Sequence, residues 1–184
     1  MKPLLAVIDL QNVFADPASE WFTPRFAEVV PPIRRLVEAF GPRAVFTRFV
    51  APKQPQGAWK RYYDQWPFAL QDADSELYQV IGEFVFPDMS TVDATRFGKW
   101  TPELAAATGD GPLVLAGVST DCCVLSTALA AADSGVEVIV VADACAGVTD
   151  ESHRQTLAIL RLYGPLIEVT DTDELLDRLA ARAS

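Results

Sequence analysis

Short, mostly apolar runs recur at residues 4–8, 44–50, 113–118, 136–142 and 166–169, each closed by polar or turn-forming residues. Runs of this length without strict alternation are the pattern of strands buried on both faces of a parallel sheet. Residues 90–93 add a shorter strand. Helix signals fill the intervals. Pro31-Pro32 ahead of IRRLVEAF, with Gly41 beyond, predicts a helix with proline in its first turn. Thr101-Pro102-Glu103 predicts another, capped by the threonine and with proline at the first helical position. Residues 124–132 are rich in Ala and Leu and precede Gly135, which suits a helix end. Further helices are predicted over 76–82, from Asp150, and from Asp171, whose spacing to Glu174 is that of a capping box. Strands alternating with helices along the whole chain predict a single α/β domain with three layers, doubly wound around a mainly parallel six-stranded sheet.

Residues 16–24 read as a loop, and residues 51–74 are the least regular part of the chain. There Pro52, Pro55, Gly57 and Pro67 alternate with Trp59, Tyr62, Tyr63, Trp66 and Phe68. So many aromatic residues argue against disorder and predict a pocket wall or a subunit contact. Composition narrows the function. Half of the 184 residues are hydrophobic, and 25 acidic against 15 basic residues leave a net charge of -10. That balance disfavours nucleic acid and anionic membranes and favours a protein handling a small molecule. No apolar run approaches the length of a membrane span or a signal peptide, and three cysteines, two of them adjacent, form no disulfide framework. A cytoplasmic location is expected.

The run 113–118 ends at Ser119-Thr120-Asp121, any of which can cap a helix, so Cys122 and Cys123 fall in a first helical turn at the carboxyl end of a buried strand. Free N–H groups and the positive helix end converge there and stabilise a thiolate and any oxyanion beside it. Packing is the competing role, since cysteine is among the most buried residue types. Neighbouring residues project about 100° apart on a helix, so at most one of the two thiols should face a given cleft. The first run ends at Asp9, which sets a carboxylate at the sheet edge where ligands bind; capping the following turn is the alternative. Arg48, near the end of the second strand, could meet a substrate carboxylate or carbonyl with both guanidinium arms, or stand exposed without a specific contact.

The stretch from Gly117 to Val124, G-V-S-T-D-C-C-V, resembles the nucleophile motif of the isochorismatase-like cysteine hydrolases, the family of nicotinamidases, N-carbamoylsarcosine amidases and ureidoacrylate-type amidohydrolases. Asp9, Gln11 and Phe14 resemble that family's opening D-x-Q-x-x-F pattern, and the resemblance covers nearly all of the chain. It implies a Rossmann-like strand order 3-2-1-4-5-6, with Asp9 and Cys123 at the carboxyl ends of adjacent strands at the topological switch point. Cys123 would then be the nucleophile, Asp9 the general base, and the backbone N–H groups of Ser119 and Cys123 the oxyanion donors, with a non-proline cis peptide between Val118 and Ser119. The implied reaction is cleavage of a C–N bond in a small amide, ureide or carbamoyl compound through a thioester.

Vinyl-ether hydrolysis of the isochorismatase type, which does not need the cysteine, is an alternative. So is an impaired member that binds a ligand or senses thiols through Cys122 and Cys123. Phe14, Arg48, Trp59, Tyr62 and Trp66 are the candidate substrate contacts. With Phe97 and Trp100 laid on the family's aromatic positions, Ala94 occupies the place of the family lysine. Lys99 or Arg96 would then supply the positive charge, or Lys99 would be a solvated surface residue. Metal-binding nicotinamidases carry an Asp-x-His motif where this chain reads FTRFVAP, and its single histidine is His153, so the resemblance implies neither metal nor cofactor. It also implies a homo-oligomer, dimer or tetramer.

Overall fold

A computed structural model describes residues 2–85 and 89–183. Six strands form one sheet: β1 (Leu4–Ile8), β2 (Ala44–Phe49), β3 (Ser90–Ala94), β4 (Leu113–Val118), β5 (Val138–Ala146) and β6 (Ile167–Thr170). Their spatial order is β3-β2-β1-β4-β5-β6, and every adjacent pair is parallel. All residues of β1 and β4 are buried, as their uninterrupted apolar sequences require of central strands. Alternate β1 residues divide between two cores. Leu5 and Val7 face a cluster with Val29, Ile33, Leu36, Phe46 and Phe49. Leu4, Ala6 and Ile8 face one with Leu104, Val124, Ala128 and Leu160.

The helices are α1 (Asn12–Ala15), α2 (Phe26–Phe40), α3 (Ala58–Gln65), α4 (Pro102–Thr108), α5 (Leu125–Asp133), α6 (Asp150–Arg161) and α7 (Thr172–Ala183). α2 starts five residues before Pro31, so both prolines lie inside it rather than in its first turn. Its buried face, Phe26, Val29, Val30, Ile33, Leu36 and Phe40, runs unbroken past them at helical spacing. Packing of that stripe outweighs the backbone hydrogen bonds the prolines cannot donate. β5 is longer than its apolar run. Asp143 lies inside it, where its Oδ1 accepts hydrogen bonds from the Thr172 backbone N–H and hydroxyl at 2.8 and 2.9 Å and fixes the start of α7. Part of the irregular stretch is helical as α3, and in place of one helix over 76–82 there are two short 3-10 turns, Glu76–Tyr78 and Gly82–Phe84.

The carboxyl ends of β1 and β4 meet where the strand order reverses. Ile8 pairs with Gly117, whose φ is 115° and whose absent side chain leaves the close approach of β1 open: a Cβ there would stand 2.1 Å from Ile8 O. Only glycine fits this position without displacing β1.

Candidate functional site

Asp9 follows β1 with φ of 49°, in the left-handed region. Asp tolerates that conformation better than most residues, at a cost of about 1–2 kcal/mol, and such conformations gather at functional sites. The side chain is fully buried. Thr47 Oγ1 donates to Asp9 Oδ1 at 2.7 Å and accepts the Asp9 backbone N–H at 3.2 Å, so β2 holds both ends of the residue. Lys99 Nζ lies 2.9 Å from Asp9 Oδ2, and both side chains have no solvent exposure. The contact is an ion pair without hydrogen-bond alignment: the ammonium donates to Arg96 O and Phe97 O at 2.7 and 3.1 Å, and Oδ2 accepts no hydrogen bond. The ammonium also stands 5.0 Å from the centre of the Phe49 ring.

Lys99 is therefore neither a surface residue nor turned away from Asp9. The chain bends at residues 95–97 after β3, and the lysine stem folds back beneath its own loop. Ala94 is buried at the end of β3 beside Phe49, and Arg96 is exposed. Thr127 of α5 joins this loop to the cysteine turn. Its Oγ1 accepts the Lys99 backbone N–H at 2.8 Å and donates to Cys123 O at 2.6 Å.

Thr120–Val124 forms a π turn ahead of α5, rather than the first turn of an α-helix, and the Val118–Ser119 peptide is cis. The wider winding alters the expected separation of the thiols: Cys122 and Cys123 both line the same pocket and interact with each other. π turns of this kind are frequent at functional sites. Contact with the Cys122 thiol, reinforced by complete burial, holds the Cys123 thiol well above the usual range, and Lys99 pulls against that shift. Cys122 is shifted down by the same contact. Both Lys99 and Asp9 act on the Cys123 thiol through their charges, the first favouring the thiolate and the second opposing it. Cys145 is buried in β5 away from the pocket, and burial pushes its thiol up to about 12.

The pocket encloses about 330 Å³, with the two thiols and Ser119 at its floor. Phe14, Tyr62 and Trp66 line it, together with Trp21, Phe49 and Phe97. Burial raises the Tyr62 hydroxyl and keeps it neutral. Two of the expected substrate contacts fall elsewhere. Arg48 spends its guanidinium on Asp93, at 2.7 and 2.6 Å, because β2 and β3 set the two residues side by side. Trp59 lies behind the wall, 5.2 Å from the Tyr62 ring and 5.1 Å from that of Phe97. His153 is half-buried on α6 and bonds Thr120 Oγ1 through Nδ1 at 2.8 Å, supporting the π turn from outside the pocket. In the stretch FTRFVAP, Thr47 is engaged with Asp9 and Arg48 with Asp93. Among the described residues, no group of three His, Cys, Asp or Glu side chains is placed to hold a metal ion, and no helix is long and apolar enough to cross a membrane.

Residues 3–174 match the isochorismatase domain family. The chain belongs to the isochorismatase family. Its fold recurs in a cysteine hydrolase from Pseudomonas syringae pv. phaseolicola, 22% identical over 97% of this chain and 92% of that one, with a TM-score of 0.83. It recurs in N-carbamoylsarcosine amidase from Thermoplasma acidophilum, 23% identical over 94% and 98% of the two chains, TM-score 0.74. Nicotinamidase from Bacillus subtilis is 20% identical over 93% and 100%, with a TM-score of 0.74. Isochorismatase domain-containing protein 2 of Xenopus laevis is 32% identical over 88 residues, which are 46% of this chain and 43% of that relative, so the match spans under half of the curated protein.

Within this isochorismatase-family chain, three polar residues at the site gave little or no signal in sequence. Gln11 is fully buried, donates to Phe49 O and Tyr78 O at 3.0 and 2.8 Å, and accepts the Phe49 backbone N–H, so it ties the turn after Asp9 to the end of β2. Its place in the D-x-Q pattern was the only signal. Thr47 and Thr127 gave none, because a threonine in a strand or helix is ordinary. Trp21 comes from a stretch read only as loop, yet its ring packs against five others: Phe14, Phe49, Tyr62, Trp66 and Phe68.

Proposed function

We propose that this isochorismatase-family protein is a hydrolase of a non-peptide C–N bond in a small amide, ureide or carbamoyl compound, with Cys123 as nucleophile. The observation that carries the reading is the buried Asp9–Lys99 pair close to Cys123, whose thiol lines an aromatic pocket. With its thiol raised by contact with Cys122 and by burial, Cys123 needs a base at the moment of attack. Asp9 Oδ2 accepts no other hydrogen bond and is available for the thiol proton, while Thr47 keeps Oδ1 turned away. The Lys99 ammonium, 2.9 Å from Oδ2, offsets the charge of the carboxylate.

As the sulfur–carbon bond forms, the carbonyl oxygen takes the negative charge, for which the backbone N–H groups of Ser119 and Cys123 are the proposed donors. One such donor is worth about 3–4 kcal/mol of barrier. Collapse of the intermediate breaks the C–N bond, and Asp9 returns the proton to the departing nitrogen. Water then attacks the thioester, Asp9 accepting its proton, and the products are a carboxylic or carbamic acid and the free thiol.

The test is release of ammonia or amine from a panel of small amides and ureides by the parent and by Asp9→Asn. The proposal expects turnover by the parent and its loss in the variant with the thermal transition retained. Loss of the transition together with activity would make Asp9 a structural cap, and retained turnover would dismiss it as the base.

A further inference from the structure

We infer that the pocket selects amides whose non-reacting part carries an alkylated ammonium group, and that Glu20 with the ring of Trp21 is the element that recognises it. The inference rests on the amidase reading for the reacting carbonyl only. Beyond the thiols, the wall of the 330 Å³ cavity is mostly aromatic. Trp21 sits at its centre, edge-on to Phe49 at 5.5 Å and to Trp66 at 6.3 Å, tilted to Tyr62 at 5.9 Å and stacked on Phe14 at 6.2 Å. Rings at these angles offer both faces and edges to one small volume, and the faces are the negative part of the ring quadrupole.

Among the described residues, no lysine or arginine lines this cavity. Arg48, which would have received an anionic group, is paired with Asp93 instead, and Lys99 is buried against Asp9 beneath the floor. The one charged side chain in the lining is Glu20, which is exposed at the mouth and forms neither an ion pair nor a hydrogen bond among the described residues. An unpaired carboxylate over an aromatic box is the arrangement that attracts a weakly hydrated cation and repels a carboxylate. The net charge of -10 acts in the same direction at longer range. Neutral aromatic amides would fit the rings but leave Glu20 without a partner.

The experiment separates this inference from the amidase reading. Binding of three matched probes, 4-(trimethylammonio)benzamide, 4-tert-butylbenzamide and 4-carbamoylbenzoate, is measured calorimetrically on Cys123→Ser, and their hydrolysis is measured on the parent. We expect the trimethylammonium compound to bind about tenfold more tightly than its neutral isostere, from a cation desolvated against aromatic faces, and the carboxylate to bind most weakly. Glu20→Gln and Trp21→Leu should each bring the ratio of cation to isostere toward one. Equal binding of cation and isostere, preference for the carboxylate, no binding of the trimethylammonium compound, or an unchanged ratio in both variants would overturn the inference. Selective binding with no hydrolysis by the parent would leave cation recognition standing and count against the amidase. Hydrolysis without selectivity would do the reverse.

Discussion

Replacing Lys99 by methionine removes the charge while keeping much of the buried stem. In the parent, Lys99 and Asp9 are 2.9 Å apart with no solvent exposure, and the ammonium satisfies Arg96 O and Phe97 O as well. Lys99→Met leaves the Asp9 carboxylate buried with one hydrogen bond, from Thr47. Removing one partner of a buried pair costs about 3–5 kcal/mol, which for a chain of this size is a fall in melting temperature on the order of 10 °C. The uncompensated charge is relieved by protonation, so Asp9 no longer serves as a base and turnover should fall by about 10²- to 10⁴-fold. The double variant Asp9→Asn/Lys99→Met removes both charges. It should recover part of the lost stability, since apolar replacement of a whole buried pair is often neutral, yet recover no activity. Thermal denaturation by circular dichroism and amide turnover are measured on all three proteins. Unchanged stability and turnover in Lys99→Met would refute the coupling of the pair, and so would a double variant no more stable than Lys99→Met.

Ala94→Lys buries a second cation at a site 8% exposed; with Lys99 already paired to Asp9, it should lower the melting temperature without raising turnover, and a gain in rate would restore Ala94 as the position of the active-site lysine. Gly117→Ala sets a Cβ against Ile8 O and should cost about 3 kcal/mol or more, read as an early thermal transition; a transition within 2 °C of the parent, a margin taken from about 2–4 °C per kcal/mol, would show that β1 yields. Cys145 has a folded pKa raised to about 12 from an ordinary 9.0 by burial, so its contribution to stability is complete below pH 9 and is lost as pH rises toward 12. Stability should therefore fall through that window, and Cys145→Ala should flatten the slope; an identical slope would assign the loss to Cys123 and the buried tyrosines.

The order of the strands in the sheet followed from the family resemblance alone, whereas the central strands were legible because β1 and β4 are buried on both faces, and an uninterrupted apolar run followed by a polar residue marks such a strand and its carboxyl end. The boundaries were less so. β5 runs past the exposed Asp143 because Cys145 and Ala146 pair again with β4 and are buried there, and an amphipathic stripe carries α2 through two prolines. At the site, Asp9 and Cys123 are visible by their motifs, whereas Lys99 is not, because its role depends on a bend at 95–97 that no periodicity encodes. The π turn is hidden for a related reason: nothing in T-D-C-C-V distinguishes five residues wound loosely from five wound as an α-helix, so the convergence of both thiols on one pocket emerges only in three dimensions. Arg48 misleads in sequence since its partner Asp93 is 45 residues away and becomes a neighbour only through the register of β2 and β3.

The most direct measurement is acid-quenched mass spectrometry of the protein during hydrolysis of an amide substrate, with peptide mapping of the acyl adduct. The adduct should appear on the peptide bearing the two cysteines in the parent and in Cys122→Ser, and be absent from Cys123→Ser, which should also lose turnover. An adduct carried by Cys122, or turnover retained in Cys123→Ser, would contradict the assignment of Cys123 as the nucleophile.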